Sequence, residues 1–157
     1  MRILHPTDFS QPAQKALTLA RDIRERSNGT LHVVHAQRRS DLDRPSSRPQ
    51  LDTFNPEMLN QLAEQRSAEV DRLLGMLLHM SSPDGTYELL WGNPVEELLA
   101  IQNRYDLVVM GAHGANRFDR HFLGGVAGRF VRRADVPTIS VREESDVTRV
   151  RRVMVAT

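Results

Sequence analysis

Between the apolar run Leu107-Val108-Val109-Met110 and a helical period that includes Val126, the chain reads Gly111-x2-Gly114-x9-Gly124-Gly125. Glycines at that spacing suit a phosphate. They permit unusual backbone angles and close approach, and the amides opening the following helix point at an anion while its dipole favours negative charge. The pattern is not a Walker loop, which needs Gly-Lys-Ser/Thr. Nor is it the dinucleotide fingerprint, which belongs after the first strand, where this chain has Pro6-Thr7-Asp8. Taken alone, the loop fits either a ligand site or a structural turn. His113, between two of the glycines, can donate to a phosphate or act as a structural hydrogen-bonder. Asp8 is open in the same way, as a helix cap and turn former or as a group facing a ligand.

Elsewhere the chemistry is sparse. With no cysteine, a disulfide framework, a Cys-based zinc site, an iron–sulfur cluster and a thiol nucleophile are excluded. His32 and His35 lie three apart on a strand and so face opposite sides, and His79 and His121 have no partner at ligand spacing. No metal site is expected. There is no nucleophile elbow, no HExxH and no lysine in the glycine loop, so no catalytic residue is assigned. Asp8 is the one nearby carboxylate that can be nominated as a base, and hydrolysis of any bound phosphate ester is expected to be slow and incidental. Arg117, Arg120, Arg129, Arg132 and Arg133 stand against Asp119 alone, and such a run ordinarily coats a solvated helix face.

Composition narrows the partners. The 21 Lys+Arg and 20 Asp+Glu leave a net charge of +1, and aromatics make up 5%, which argues against a dedicated nucleic-acid binder. No apolar run approaches the roughly 20 residues that cross a bilayer, and Pro6 interrupts the amino end before a signal-peptide core could form. A cytoplasmic protein is expected, without membrane contact.

The elements that must position these residues alternate. Ile3 and Leu4 form a short strand, and Ala13, Ala16, Leu17, Ala20 and Ile23 recur at helical spacing, with Asp8 or Ser10 as cap, Pro12 in the first turn and Asn28-Gly29 as the left-handed stop. Leu31, Val33, Val34 and Ala36 make a second strand, and residues 37–53 read as an exposed loop. A long helix opens at Asn55-Pro56-Glu57, keeps Leu59, Leu62, Ala63, Val70, Leu73, Leu74 and Leu77 to the core, and ends near Ser81-Ser82-Pro83. Tyr87, Leu89 and Trp91 alternate in a third strand, and Asn93 caps a short helix with Glu96 at its N3 position. The run 107–110 is a buried central strand, a fourth helix carries Val126, Ala127, Phe130 and Val131, and Thr138-Ile139-Ser140-Val141 is a fifth strand. The resulting βαβαβαβαβ pattern predicts an α/β, doubly wound parallel sheet, whose ligands bind at the strands' carboxyl ends. If strands one and four are neighbours, the loops after Pro6 and Met110 face one crevice.

Across nearly its whole length the sequence resembles the universal stress protein family. The resemblance rests on Ile3-Leu4-His5-Pro6-Thr7-Asp8-Phe9-Ser10, His35-Ala36, Gly92-Asn93-Pro94 and 106–114, then on Leu123-Gly124-Gly125-Val126-Ala127 and Val136-Pro137-Thr138-Ile139-Ser140-Val141. It implies a five-stranded sheet of order 3-2-1-4-5, similar to that of adenine nucleotide α-hydrolases, and a homodimer through the last strand. It further implies a stress-response module that binds ATP or AMP, with Mg²⁺ accompanying ATP. Carried over by position, the phosphates lie on the amides of Gly114, Gly124, Gly125 and Val126, Met110 and Gly111 lie beside the ribose, and adenine meets Ala36 and Pro6-Thr7-Asp8. Two positions depart from the family pattern: Gly125 stands where a Ser or Thr hydroxyl is usual, and Ala115 where a basic residue often follows the second glycine. They leave open a member that does not bind nucleotide and acts through protein contacts.

Residues 1–143 read as one domain, and 144–157 as a linker followed by the apparent first strand of a second repeat. Arg152-Val153-Met154-Val155-Ala156-Thr157 aligns with Arg2-Ile3-Leu4-His5-Pro6-Thr7, which predicts a tandem protein.

Overall fold

The structure, a computed structural model, describes residues 1–38, 56–81, 85–112 and 125–147. Five strands, β1 (Arg2–Pro6), β2 (Thr30–Gln37), β3 (Thr86–Trp91), β4 (Leu107–Gly111) and β5 (Thr138–Val141), form one sheet of order β3-β2-β1-β4-β5. Every pairing is parallel. Among the described residues four α-helices connect them: α1 (Gln11–Ser27), α2 (Pro56–Met80), α3 (Pro94–Ile101) and α4 (Gly125–Val131). The predicted doubly wound order is the one observed.

Period-2 alternation sends neighbouring residues of β1 into different cores. Ile3 packs with Ala16, Leu17, Ala20, Val33, Leu77 and Val109 beneath α1 and α2. Leu4 packs with Val34, Leu98, Val108, Met110 and Phe130 beneath α3 and α4. The chain winds outward on one face from β1 to β3 and then returns to β4 on the other. Ile3 lies opposite Leu31 on one side and opposite Leu107 on the other, so β1 is the strand at which the winding reverses.

Local signals explain the helix ends. Ser10 is the N-cap of α1 and accepts from the Ala13 amide, Pro12 lies in the first turn, and Asn28 takes the left-handed conformation at φ 48. Asn93 caps α3 by accepting from the Val95 amide. Glu96 does not reach back to that cap; it forms a two-bond pair with the Arg133 guanidinium, at 2.6 and 3.1 Å, tying α3 to the end of α4.

Two expectations change. In β3 the buried residue is Leu90, while Tyr87 is exposed and Leu89 and Trp91 are half-buried. As an edge strand only partly covered by helices, β3 alternates weakly. Along α2, Leu73 and Leu77 are buried, Leu62, Val70 and Leu74 are half-buried and Ala63 is exposed, so only the second half of the helix is fully seated. Its 25 residues run about 37 Å, longer than any strand it could cover. The side chain of Leu59, the loop 39–53 and the proposed repeat strand 150–157 lie outside the described residues.

Candidate functional site

At the carboxyl end of β1 the backbone leaves the sheet through a tightly bonded turn. The Thr7 amide donates to the Val34 carbonyl at 2.8 Å, its Oγ1 accepts from the Phe9 amide at 3.0 Å, and its carbonyl faces His35 Nδ1 at 2.7 Å. Thr7 is accordingly buried, with its polar atoms turned inward. Asp8 is exposed. Its Oδ1 accepts from the Ser10 amide at 3.1 Å and from the Ser10 hydroxyl at 2.5 Å, so the carboxylate shapes the turn, while Ser10 itself caps α1. Phe9 sits at φ 63, a left-handed backbone that a bulky side chain rarely adopts.

The end of β4 meets the start of α1. A Cβ on Gly111 would lie 2.8 Å from the Ala13 amide nitrogen and 3.0 Å from the Pro12 carbonyl carbon, so only glycine lets the helix start come this close. Its neighbour Ala112 is buried and donates from its amide to the Val141 carbonyl at 2.7 Å. Pro6 and Met110 are buried, and Ala36 and Val126 are half-buried against the second core. Gly125 is exposed at the start of α4, its carbonyl accepting from Arg129 Nε at 2.5 Å. His113, Gly114, Ala115, Arg117, Asp119, Arg120 and Gly124 lie outside the described residues.

The structure therefore joins Thr7, Asp8 and Gly111 at the ends of two adjacent strands, with Ala36 one strand further along. No three His, Asp or Glu side chains converge on a metal position among the described residues. None of the described helices is long and apolar enough to cross a membrane.

Two histidines whose structural roles the sequence did not show matter here. His5 is fully buried on β1 and donates from Nδ1 to the Val109 carbonyl at 2.8 Å. Burial pushes its pKa down to about 4, although the bond to Val109 opposes the shift. His35 bonds the turn after β1 and packs its ring against Phe9, with centroids 4.8 Å apart and the planes tilted by 40°. A histidine inside an apolar strand was the available signal for both. His32 points the other way, bonding Thr86 Oγ1 at 2.6 Å and stacking on Tyr105 at 5.6 Å. Burial lowers its pKa as well.

Comparison with known proteins agrees with this architecture. Stress response protein NhaX of Bacillus subtilis (strain 168) is 26% identical, over 90% of this chain and 97% of that protein. Among solved structures, the universal stress protein UspA from Lactobacillus plantarum superimposes with a TM-score of 0.64 at 24% identity, covering 90% of this chain and 97% of that one. The universal stress protein from Archaeoglobus fulgidus in complex with dAMP gives a TM-score of 0.52 at 20% identity, over 90% and 97%. The sequence pattern of the universal stress protein family itself matches residues 1–142, nearly the entire chain, and the chain belongs to that family.

Proposed function

We propose that this protein is a stress-response module that binds an adenine nucleotide, ATP or AMP, where β1 and β4 part. One observation carries the reading: the winding reverses between these two strands, which puts the exposed Asp8 carboxylate and the glycine-lined end of β4 at one switch point. The family membership and the dAMP complex of the Archaeoglobus fulgidus relative support the same ligand class. In this reading Ala36, Pro6 and Met110 give the apolar floor for base and ribose. Asp8 and the Thr7 turn meet the adenosine, Gly111 lies beside the ribose, and His113, Gly114, Gly124, Gly125 and Val126 serve the phosphates. ATP would bring Mg²⁺ with its own phosphates, as is usual for nucleotide sites.

The proposed role is binding and not turnover. Asp8 Oδ1 already holds both bonds to Ser10, which leaves its other oxygen alone to orient a water, so hydrolysis would be slow. The loaded state would be read out at the surface, through partner contacts or a homodimer formed along the edge strand β5, the neighbour of β4.

Isothermal titration of nucleotide-stripped protein with AMP, and with ATP at saturating Mg²⁺, tests the reading. Micromolar affinity is the expected result. Silence up to millimolar nucleotide overturns it and leaves a family member that works through protein contacts alone.

A further inference from the structure

His35 lies near the end of β2, and two of its three contacts reach the turn after β1. Its Nδ1 is 2.7 Å from the Thr7 carbonyl, its Nε2 is 3.1 Å from the Gln37 side-chain amide, and its ring packs at 4.8 Å on Phe9 with the planes tilted by 40°. The carbonyl of Thr7 can only accept, so Nδ1 carries the proton. Phe9 in turn is the residue held at φ 63. A bulky side chain persists in that region only where its surroundings over-determine it, and ring contact with His35 together with packing against Ile3, Leu17 and their neighbours supplies that constraint. The Phe9 amide donates to Thr7 Oγ1 and the Ser10 amide to Asp8 Oδ1, so the strained residue lies between the two bonds that aim the Asp8 carboxylate.

We propose that His35 is a positioning residue for the switch-point crevice: by gripping the Thr7 carbonyl and bearing on Phe9, it locks the turn 7–10 in the conformation that presents Asp8 to ligand. The affinity aspect of this inference rests on the nucleotide-binding reading above; the locking of the turn does not. Relaxation of the turn lets Phe9 leave the left-handed region, and Asp8 and the cap of α1 then move together, because Ser10 serves both. Ligand bound at Asp8 would favour the locked turn, and the grip of β2 on that turn would set how tightly ligand is held.

Four variants separate the contributions. His35→Phe keeps an aromatic ring on Phe9 and removes the donor, His35→Asn keeps a donor near the Nδ1 position and removes the ring, His35→Ala removes both, and Phe9→Gly relieves the strain. Hydrogen exchange at the Phe9 and Ser10 amides reads the lock without any nucleotide, and titration with AMP reads its effect on binding. His35→Phe and His35→Ala are expected to speed exchange at these two amides about tenfold, the scale of one lost hydrogen bond, with His35→Asn recovering most of the protection. The Val108 amide, bonded to the Pro137 carbonyl in another part of the sheet, should exchange at the wild-type rate in all of them. AMP affinity should fall in the same order and by a similar factor, with Phe9→Gly also weakening it, because it removes the ring that His35 bears on and frees the turn's backbone. Wild-type protection at Phe9 and Ser10 in His35→Phe and His35→Ala overturns the proposal, as does accelerated exchange spread equally to Val108, which marks a merely structural role. If wild-type protein binds no AMP, the nucleotide reading fails while the exchange experiment still decides the lock.

Discussion

Gly111, the last residue of β4, and Ala13, in the first turn of α1, approach so closely that a β-carbon on the glycine would stand 2.8 Å from the alanine amide nitrogen. The obstacle is backbone, which cannot rotate away as a side-chain tip can. Gly111→Ala should therefore displace the start of α1 and lower stability by about 2 kcal/mol, the scale of overpacking in a tight interior. Denaturant unfolding measures this, and an unchanged midpoint would mean that helix and strand have room to separate.

Gly125 differs because the nearest atom to its missing β-carbon, among the described residues, is the tip of a flexible side chain at an ordinary contact distance, Arg129 Nη2 at 3.5 Å. Gly125→Ser should fold as the wild type does. If phosphate lies against this helix start, the added hydroxyl should tighten ATP binding about tenfold, equivalent to about 1.4 kcal/mol. Equal or weaker affinity in calorimetry would place the phosphates elsewhere.

His5 makes stability depend on pH. Burial holds it neutral in the fold down to about pH 4, whereas its ordinary value is 6.5. Between those two values the unfolded chain binds the extra proton, so stability is complete above about pH 6.5 and falls as the solution is acidified toward 4. The loss attributable to His5 is about 3 kcal/mol, since each pKa unit is worth about 1.4. Urea unfolding of wild type and His5→Asn at pH 7 and 4.5 should show a flatter profile in the variant. Parallel profiles would assign the acid sensitivity to other groups.

Along α2 the cost of truncation should follow seating rather than residue type. Leu77 is completely buried and packs against the first core, so Leu77→Ala is expected to cost about 3 kcal/mol. Leu62 is half-buried on the less covered half of the helix, and Leu62→Ala should cost about 1 kcal/mol or less. Equal losses in denaturant unfolding would show that the whole helix is clamped to the sheet.

The sheet order was legible because strands buried on both faces leave unbroken apolar runs, as at 107–110, and because Asn28 and Ser10 carry the chemistry of helix ends in their side chains. Alternation put Tyr87 on one face with Leu89 and Trp91, and helical spacing put Ala63 on a core face, yet both are exposed. Period reports which residues share a face, and it does not report whether another element covers that face. The same limit applies at the crevice. Its glycines and Asp8 announce themselves by type, and Gly111 proves to be needed for packing against α1. His35 stood in a recognised motif, but its role did not show, since its bond runs to a backbone carbonyl 28 positions earlier in the chain and leaves no mark on local pattern.

The pairing of β1 with β4 also sets an order of events during synthesis. Ile3 has to wait for Leu107, 104 residues later, whereas its other neighbour, Leu31, emerges after only 28. A nascent chain can therefore assemble β3-β2-β1 with α1 and α2 while one side of β1 still offers unpaired amides and carbonyls. Contacts this distant in sequence form slowly, and an open strand edge invites the wrong partner. The switch point is thus the last seam of the sheet to close around β1, and the step at which a newly made molecule is most exposed to misassembly is the same step that creates its crevice.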